Sequence, residues 1–211
     1  MAAIILSGGN NKRIDTNKAF LRIGRKTIIE REIAVLSTIF DRIIIVTNTP
    51  EKYKHLKADL TSDLITGKGP LGGIYSGLTI SQEEHNFVVS CDLPFLNAGL
   101  IYYMKGLIDK HDAIIPNFNR YLEPLHAFYS KDCLSSIKKH LDQNDLKIRS
   151  FLSEVSVKYI GTTEIESFDP EGIVFFNVNT EENLKKARLI AEDTAGDGLL
   201  FERNNNLMKR R

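Results

Sequence analysis

Cysteine is nearly absent: Cys91 and Cys133 are the only two in 211 residues. They share no C-x-x-C spacing and no histidine at zinc-ligand distance, so neither a disulfide framework nor a metal knuckle is implied. Cys91, inside an apolar strand pattern, reads as an ordinary buried thiol. Excess charge is absent too, since 28 basic residues face 27 acidic ones for a net +1, which excludes a general nucleic-acid binder. No apolar run reaches transmembrane length, and the N-terminus enters a strand without a basic or long apolar leader. The expectation is a soluble, cytoplasmic, monomeric protein with no membrane partner. No Gly-Lys is followed by Ser or Thr, no H-E-x-x-H occurs, and Gly73-Ile74-Tyr75-Ser76-Gly77 has one residue too many for a nucleophile elbow. These gaps exclude a Walker A loop, a zinc protease and a serine hydrolase elbow. No internal repeat or linker divides the chain, and 42% hydrophobic residues suffice for one core. One domain is expected over 1–192. Residues 193–211 read as a mobile tail, with Leu199-Leu200-Phe201 as the cluster able to dock.

What is present is an alternation of strands and helices. Ile4-Ile5-Leu6 reads as a buried strand that breaks at Gly8-Gly9 into a polar segment carrying Arg13 and Lys18. Ile29, Ile33, Leu36 and Phe40 recur at helical spacing, and Arg42 to Val46 is a branched run suited to a strand buried on both faces. Thr47-Asn48-Thr49-Pro50 ends it as a loop. Asp63 to Thr66 reads as a short strand, followed by a glycine-rich stretch and a helix from about Ile74 to Ser81. Phe87 to Cys91 is a strand closed by Asp92-Leu93-Pro94, and Asn97 caps a helix reaching Ile108. Ala113 to Pro116 and Tyr121 to Tyr129 flank a turn signal at Asn117 to Arg120 and predict a hairpin, hence an antiparallel element in a mostly parallel sheet. Helix Lys131 to Leu141, strand Val155 to Ile160, a last strand or extended segment Val174 to Asn179 and a helix capped by Thr180 complete the pattern. The fold class is α/β.

Two constellations carry chemistry. Gly8 and Gly9 lack Cβ, so the backbone there is free to take φ > 0 and to approach a ligand, presenting N–H groups to phosphate oxygens. Arg13 and Lys18 add the two donor types suited to a polyphosphate. The bland alternative is a strand-to-helix turn with its cations in water. Asp92, at the carboxyl end of a buried strand, is the candidate metal-binding carboxylate, with a plain turn residue as its alternative. Asn48 either meets a ligand at its strand's end or simply forms a turn beside Pro50. Gly67-x-Gly69-x-x-Gly72, with Asp92 about twenty residues on, satisfies the written dinucleotide fingerprint; against a dehydrogenase, Pro70 removes an N–H and the motif is not in the first βαβ unit. His126 reads as a packed or pocket-edge residue.

Taken together, Leu6-Ser7-Gly8-Gly9 with Arg13 and Lys18-Ala19, Gly69-Pro70-Leu71-Gly72-Gly73, Cys91-Asp92-Leu93-Pro94-Phe95, Glu123-Pro124-Leu125 and Phe176-Asn177-Val178-Asn179-Thr180 resemble the molybdenum cofactor guanylyltransferases. The resemblance implies a three-layer Rossmann-like nucleotidyltransferase fold and transfer of GMP from GTP to the terminal phosphate of molybdopterin, with Mg²⁺ as cofactor. It implies Arg13, Lys18 and Asp92 as the catalytic groups. Leu6, Ser7, Gly8, Gly9, Lys18, Asn48, Asp63, Gly69, Pro70, Leu71, Gly72 and Asp92 are implied to bind nucleotide, and Asp92 with Asn179 to hold metal. It further implies transient contacts with other proteins of that cofactor. Gly8 favours GTP over CTP, because related cytidylyltransferases usually carry Ala there. The chain departs from the family in Asn10-Asn11 and in Arg13-Ile14-Asp15, which sets a carboxylate near a polyanion. A non-enzymatic nucleotide or cofactor carrier on the same scaffold remains an alternative.

Overall fold

The computed structural model describes residues 1–8 and 17–196. Strand β1 (Ala2–Leu6) is buried at every position. Its side chains alternate between two cores. Ala3 and Ile5 join one apolar cluster, and Ala2, Ile4 and Leu6 join the other. A strand that must satisfy two cores has no polar face, which is why it reads as a continuous apolar run.

A short 3₁₀ turn at Lys18–Phe20 and a two-residue hairpin, β2 (Arg22–Ile23) with β3 (Lys26–Thr27), lead into helix α1 (Ile28–Leu36). Thr27 and Glu30 form a reciprocal capping box at its start. Next come β4 (Arg42–Val46), a 3₁₀ turn at Pro50–Lys52, β5 (Asp59–Thr61), α2 (Gly69–Ile80) and β6 (His85–Ser90). Then follow α3 (Ala98–Lys105), β7 (Ala113–Phe118), β8 (Tyr121–Leu122), β9 (His126–Ser130) and α4 (Cys133–Asp142). Helix α5 (Ile148–Leu152), β10 (Val157–Gly161), α6 (Thr162–Glu166) and α7 (Glu181–Gly196) complete the described chain. The main sheet runs β10-β7-β9-β6-β1-β4-β5, with β8 beside β7. β1, β4, β5 and β6 are parallel, as are β7 and β10, whereas β9 is antiparallel to both β6 and β7. Residues of α1 and α3 pack on one face and of α2, α4 and α5 on the other, so the three-layer, mostly parallel architecture expected from the sequence is the one found. Because β4 and β6 lie on opposite sides of β1, the sheet changes direction there, and a crevice opens beyond the carboxyl ends of these strands.

Several boundaries differ from the sequence reading. The strand placed at Asp63 to Thr66 lies instead at Asp59–Thr61, pairing Ile44, Ile45 and Val46 with Asp59, Leu60 and Thr61. It is an edge strand with little burial, so its apolar signal is weak. Helix α2 begins at Gly69, five residues before the expected Ile74, because Pro70 sits in the first turn where a missing N–H costs nothing. Segment 174–179 forms no strand: Ile173–Phe175 is a 3₁₀ turn and the chain then runs extended outside the sheet. The predicted hairpin is present, with Asn119 and Arg120 both at positive φ as a two-residue turn requires. Asn97 accepts from Leu100 N at 3.0 Å and Thr180 Oγ1 from Asn183 N at 3.1 Å, so both expected caps form. Helix α7 continues to Gly196, past the expected boundary at 192, and Leu199-Leu200-Phe201 lies outside the described residues.

His126 is a core residue. Its ring stands edge-on between Phe87, 5.0 Å away, and Phe175, 5.4 Å away, and neither nitrogen has a hydrogen-bond partner among the described residues. Burial pulls its pKa down to about 3. The unfolded chain, with an ordinary histidine near 6.5, therefore binds more protons between those values, and stability falls as pH drops from 6.5 toward 3. Between pH 6.5 and 5 this single group is expected to cost the wild type about 1.6 kcal/mol, the slope being half of ~1.4 kcal/mol per pH unit at pH 6.5 and approaching that value below it. Urea unfolding of wild type and His126→Leu at the two pH values should differ in pH dependence by that amount, the contributions of other groups such as Glu123 being common to both.

Candidate functional site

A cleft of about 730 Å³ occupies the crevice at the ends of β1, β4 and β6. Leu6, Ser7 and Gly8 line it from β1, Thr47 and Asn48 from β4, and Ser90, Cys91 and Asp92 from β6. Gly67, Gly69, Pro70 and Gly73 supply the wall at the start of α2.

At one end three polar groups converge. Lys18 Nζ donates to Asn179 Oδ1 at 2.5 Å and stands 3.9 Å from Asp92 Oδ2, while Ser90 Oγ donates to Asp92 Oδ1 at 2.6 Å. Asn179 is brought there by a backbone strap, Val178 N donating to the carbonyl of Asp92 at 2.9 Å. Asn17 caps the turn that carries Lys18, its Oδ1 accepting from Ala19 N at 3.1 Å. Behind Asp92, Arg31 Nε donates to the Pro94 carbonyl at 3.0 Å and Leu93 N donates to Glu32 Oε1 at 3.3 Å. Glu32 is buried, and desolvation together with the nearby Asp92 charge pushes its carboxyl well above the usual carboxylate range. Burial likewise raises the Cys91 thiol to about 12, which leaves it unreactive at neutral pH.

At the other end Asn48 and Asp63 hold each other reciprocally. Asn48 Nδ2 donates to Asp63 Oδ2 at 2.8 Å and Asp63 N donates to Asn48 Oδ1 at 3.2 Å. The loop carrying Asp63 is fastened to α2 through the buried Ser76, whose hydroxyl accepts from Leu64 N at 2.8 Å and donates to the Gly72 carbonyl at 2.7 Å. Gly72 keeps that loop close, because a Cβ there would stand 2.8 Å from Lys68 Cβ.

The cleft thus gathers Leu6, Ser7, Gly8, Lys18, Asn48, Asp63, Gly69, Pro70 and Asp92. Asn179 touches it through Lys18. Leu71 and Gly72 do not line it: the Leu71 side chain is in the core, and Gly72 serves the loop contact just described. Gly9, Arg13 and Asp15 lie outside the described residues. Gly8 does not take positive φ, and a Cβ added there would meet nothing within 4 Å among the described residues, so these give no steric reason against alanine. Sequence reasoning missed Asn17, Thr47, Ser90, Glu32 and Ser76; Asn17 and Glu32 have partners 36 and 61 residues away, and Ser90 and Thr47 bond within two residues in ways no motif marks.

Among the described residues, Lys18 faces the Asn179 amide oxygen and an Asp92 carboxylate oxygen. Among the described residues no cluster of three or more His, Cys, Asp or Glu side chains forms a metal cage. One carboxylate and one amide oxygen converging on a single ammonium fit a hard divalent cation that takes its remaining ligands from phosphate and water.

Residues 3–158 match the model of the MobA-like NTP transferase domain. The chain belongs to the MobA-like NTP transferase family. A protein of Peptoclostridium acidaminophilum named "Probable molybdenum cofactor guanylyltransferase" is 38% identical over 204 residues, covering 93% of this chain and 92% of its own. The molybdenum cofactor guanylyltransferase of Desulfosudis oleivorans is 36% identical, with 89% and 94% covered. The crystal structure of molybdopterin-guanine dinucleotide biosynthesis protein A from Archaeoglobus fulgidus superposes with a TM-score of 0.81 at 27% identity, over 92% of this chain and all of that one. Membership in the MobA-like family disposes of the dinucleotide fingerprint: Gly69 and Gly72 belong to the first turn of α2, following an edge strand.

Proposed function

We propose that this chain transfers GMP from GTP to the terminal phosphate of molybdopterin. An oxygen of that phosphate attacks the α-phosphorus of GTP, the new P–O–P bond forms, the bond from the α-phosphorus to the bridging oxygen breaks, and pyrophosphate leaves with the electron pair. The acceptor is already an anion, so no general base is needed. The observation that carries the reading is the convergence of Lys18, Asp92 and Asn179 at one end of a cleft whose other end holds the Asn48–Asp63 pair.

In this reading Asn48 and Asp63 orient the nucleoside, and Ser7, Gly8 and Lys18 hold the phosphates, joined by Gly9 and Arg13. The backbone of Gly69 and Pro70 walls the nucleotide side. Mg²⁺, held by Asp92 and Asn179, would neutralise charge on the phosphates. Lys18 balances the developing charge and Asp92 is the oxygen donor; both act by position and electrostatics, which dominate phosphoryl-type transfer.

A thermal-shift panel of GTP, CTP, ATP and NAD, with and without Mg²⁺, tests this. A ligand at a hundred times its Kd adds about 2.7 kcal/mol. GTP with Mg²⁺ is expected to stabilise most, and pyrophosphate release should follow addition of molybdopterin. Stabilisation by CTP in place of GTP would sink the guanylyl assignment and leave the transferase reading intact.

A further inference from the structure

Tyr53 is fully buried and does not itself line the cleft, yet its hydroxyl bonds two residues that do. It meets Ser7 Oγ at 2.5 Å and accepts from Asn17 Nδ2 at 2.7 Å. Ser7 and Asn17 both line the cleft, and in sequence they bracket the segment that carries Gly9 and Arg13. The Asn17 amide is fixed at both ends, because its oxygen takes Ala19 N and so sets the turn that presents Lys18. The Tyr53 ring packs against Phe20 of that turn with centroids 4.9 Å apart. Its backbone N donates to the Pro50 carbonyl at 3.0 Å, closing the turn that follows Asn48 and Thr49. A single hydroxyl therefore joins the chain leaving β1, the chain arriving at Lys18 and the loop after β4.

We infer that Tyr53 is a positioning residue for the triphosphate end of the cleft, its hydroxyl clasping Ser7 to Asn17 so that the phosphate-binding groups flanking them are set before nucleotide arrives. The inference rests on the nucleotide reading above. Fixing Gly8 and Lys18 in place through their neighbours Ser7 and Asn17 removes ordering cost from binding, which is how preorganisation raises affinity. The plain alternative is a core tyrosine whose buried hydroxyl merely finds polar partners, as buried hydroxyls do. The two accounts differ in what phenylalanine does. Phenylalanine keeps the ring and its packing on Phe20, so a merely structural hydroxyl would register in stability alone.

The test uses the full chain and Tyr53→Phe, measuring KM and kcat for GTP, competition by guanosine, and Tm. Loss of the clasp is expected to raise KM for GTP about tenfold, the scale of one or two hydrogen bonds, with kcat within about twofold. Guanosine, which uses the Asn48–Asp63 end, should compete as in the wild type. Asn17→Ser keeps a capping oxygen for Ala19 N, is too short to reach the Tyr53 hydroxyl, and serves if Tyr53→Phe does not fold. When both fold, the double variant should show the larger single effect on KM and not their product. An unchanged KM in these variants, or a parallel loss for guanosine, overturns the inference alone. A wild type that binds neither GTP nor guanosine overturns the nucleotide reading and this inference with it.

Discussion

Asp92→Asn is expected to lower kcat by about 10²–10³-fold, the range seen when one group stabilising transition-state charge is removed. The substitution is isosteric and deletes only charge. Ser90 Oγ donates to Asp92 Oδ1 at 2.6 Å, a bond an amide oxygen also accepts, and the Lys18 ammonium is 3.9 Å away. At 3.9 Å that ion pair is loose and makes no direct hydrogen bond, and because Lys18 keeps the Asn179 oxygen as partner, its loss should move stability by about 1 kcal/mol. Turnover under saturating GTP and Mg²⁺, set beside a melting curve, separates the two effects. Wild-type kcat in Asp92→Asn would remove Asp92 from the chemistry.

Gly172→Ala should be the most destabilising small change in the described chain. Gly172 has φ +67°, where an L side chain is strained, and a Cβ there would stand 2.2 Å from Phe118 Cε1 and 2.5 Å from Cζ. Left-handed backbone costs roughly 1–2 kcal/mol and overpacking roughly 1–3, so a loss of about 2–5 kcal/mol is expected. Phe118 is pinned by Phe175, 5.6 Å between centroids, and has little room to retreat. Urea unfolding should show a lower midpoint at unchanged slope. Adding Phe118→Leu should recover the steric share and leave the backbone share. An alanine variant as stable as the wild type would mean that the 169–176 turn repacks freely.

The sequence made the central strands and Asp92 legible because each carries a local signature, whereas Asp63 and Asn179 enter only through the family resemblance. Ile43 to Val46 is branched throughout since both its faces are covered, and Asp92 stands out because a carboxylate follows a buried run closely. Short elements left no such trace. The β2–β3 hairpin has two residues per strand, and α5 and α6 have five each, less than two helical turns, so periodicity cannot reveal them. Leu64 and Ile65 misplaced β5: Ile65 is apolar because it packs beside α2, while Leu64 is half exposed. Tyr53 and Glu32 sit among charged neighbours, Glu51 to His55 and Glu30 to Arg31, and nothing local marks them as buried. Their roles come from partners 36 to 61 residues away.

The strap from Val178 to Asp92 also has a consequence in time. β1, β4 and β6 are complete once residue 90 has been synthesised, and most of the cleft wall can form from that part of the chain. The second oxygen facing Lys18 arrives 87 positions after Asp92, with Asn179. On the proposed reading, a chain still emerging from the ribosome has the Asn48–Asp63 end of its cleft long before Asn179 can meet Lys18, so turnover is expected only once nearly all of the described fold has been made.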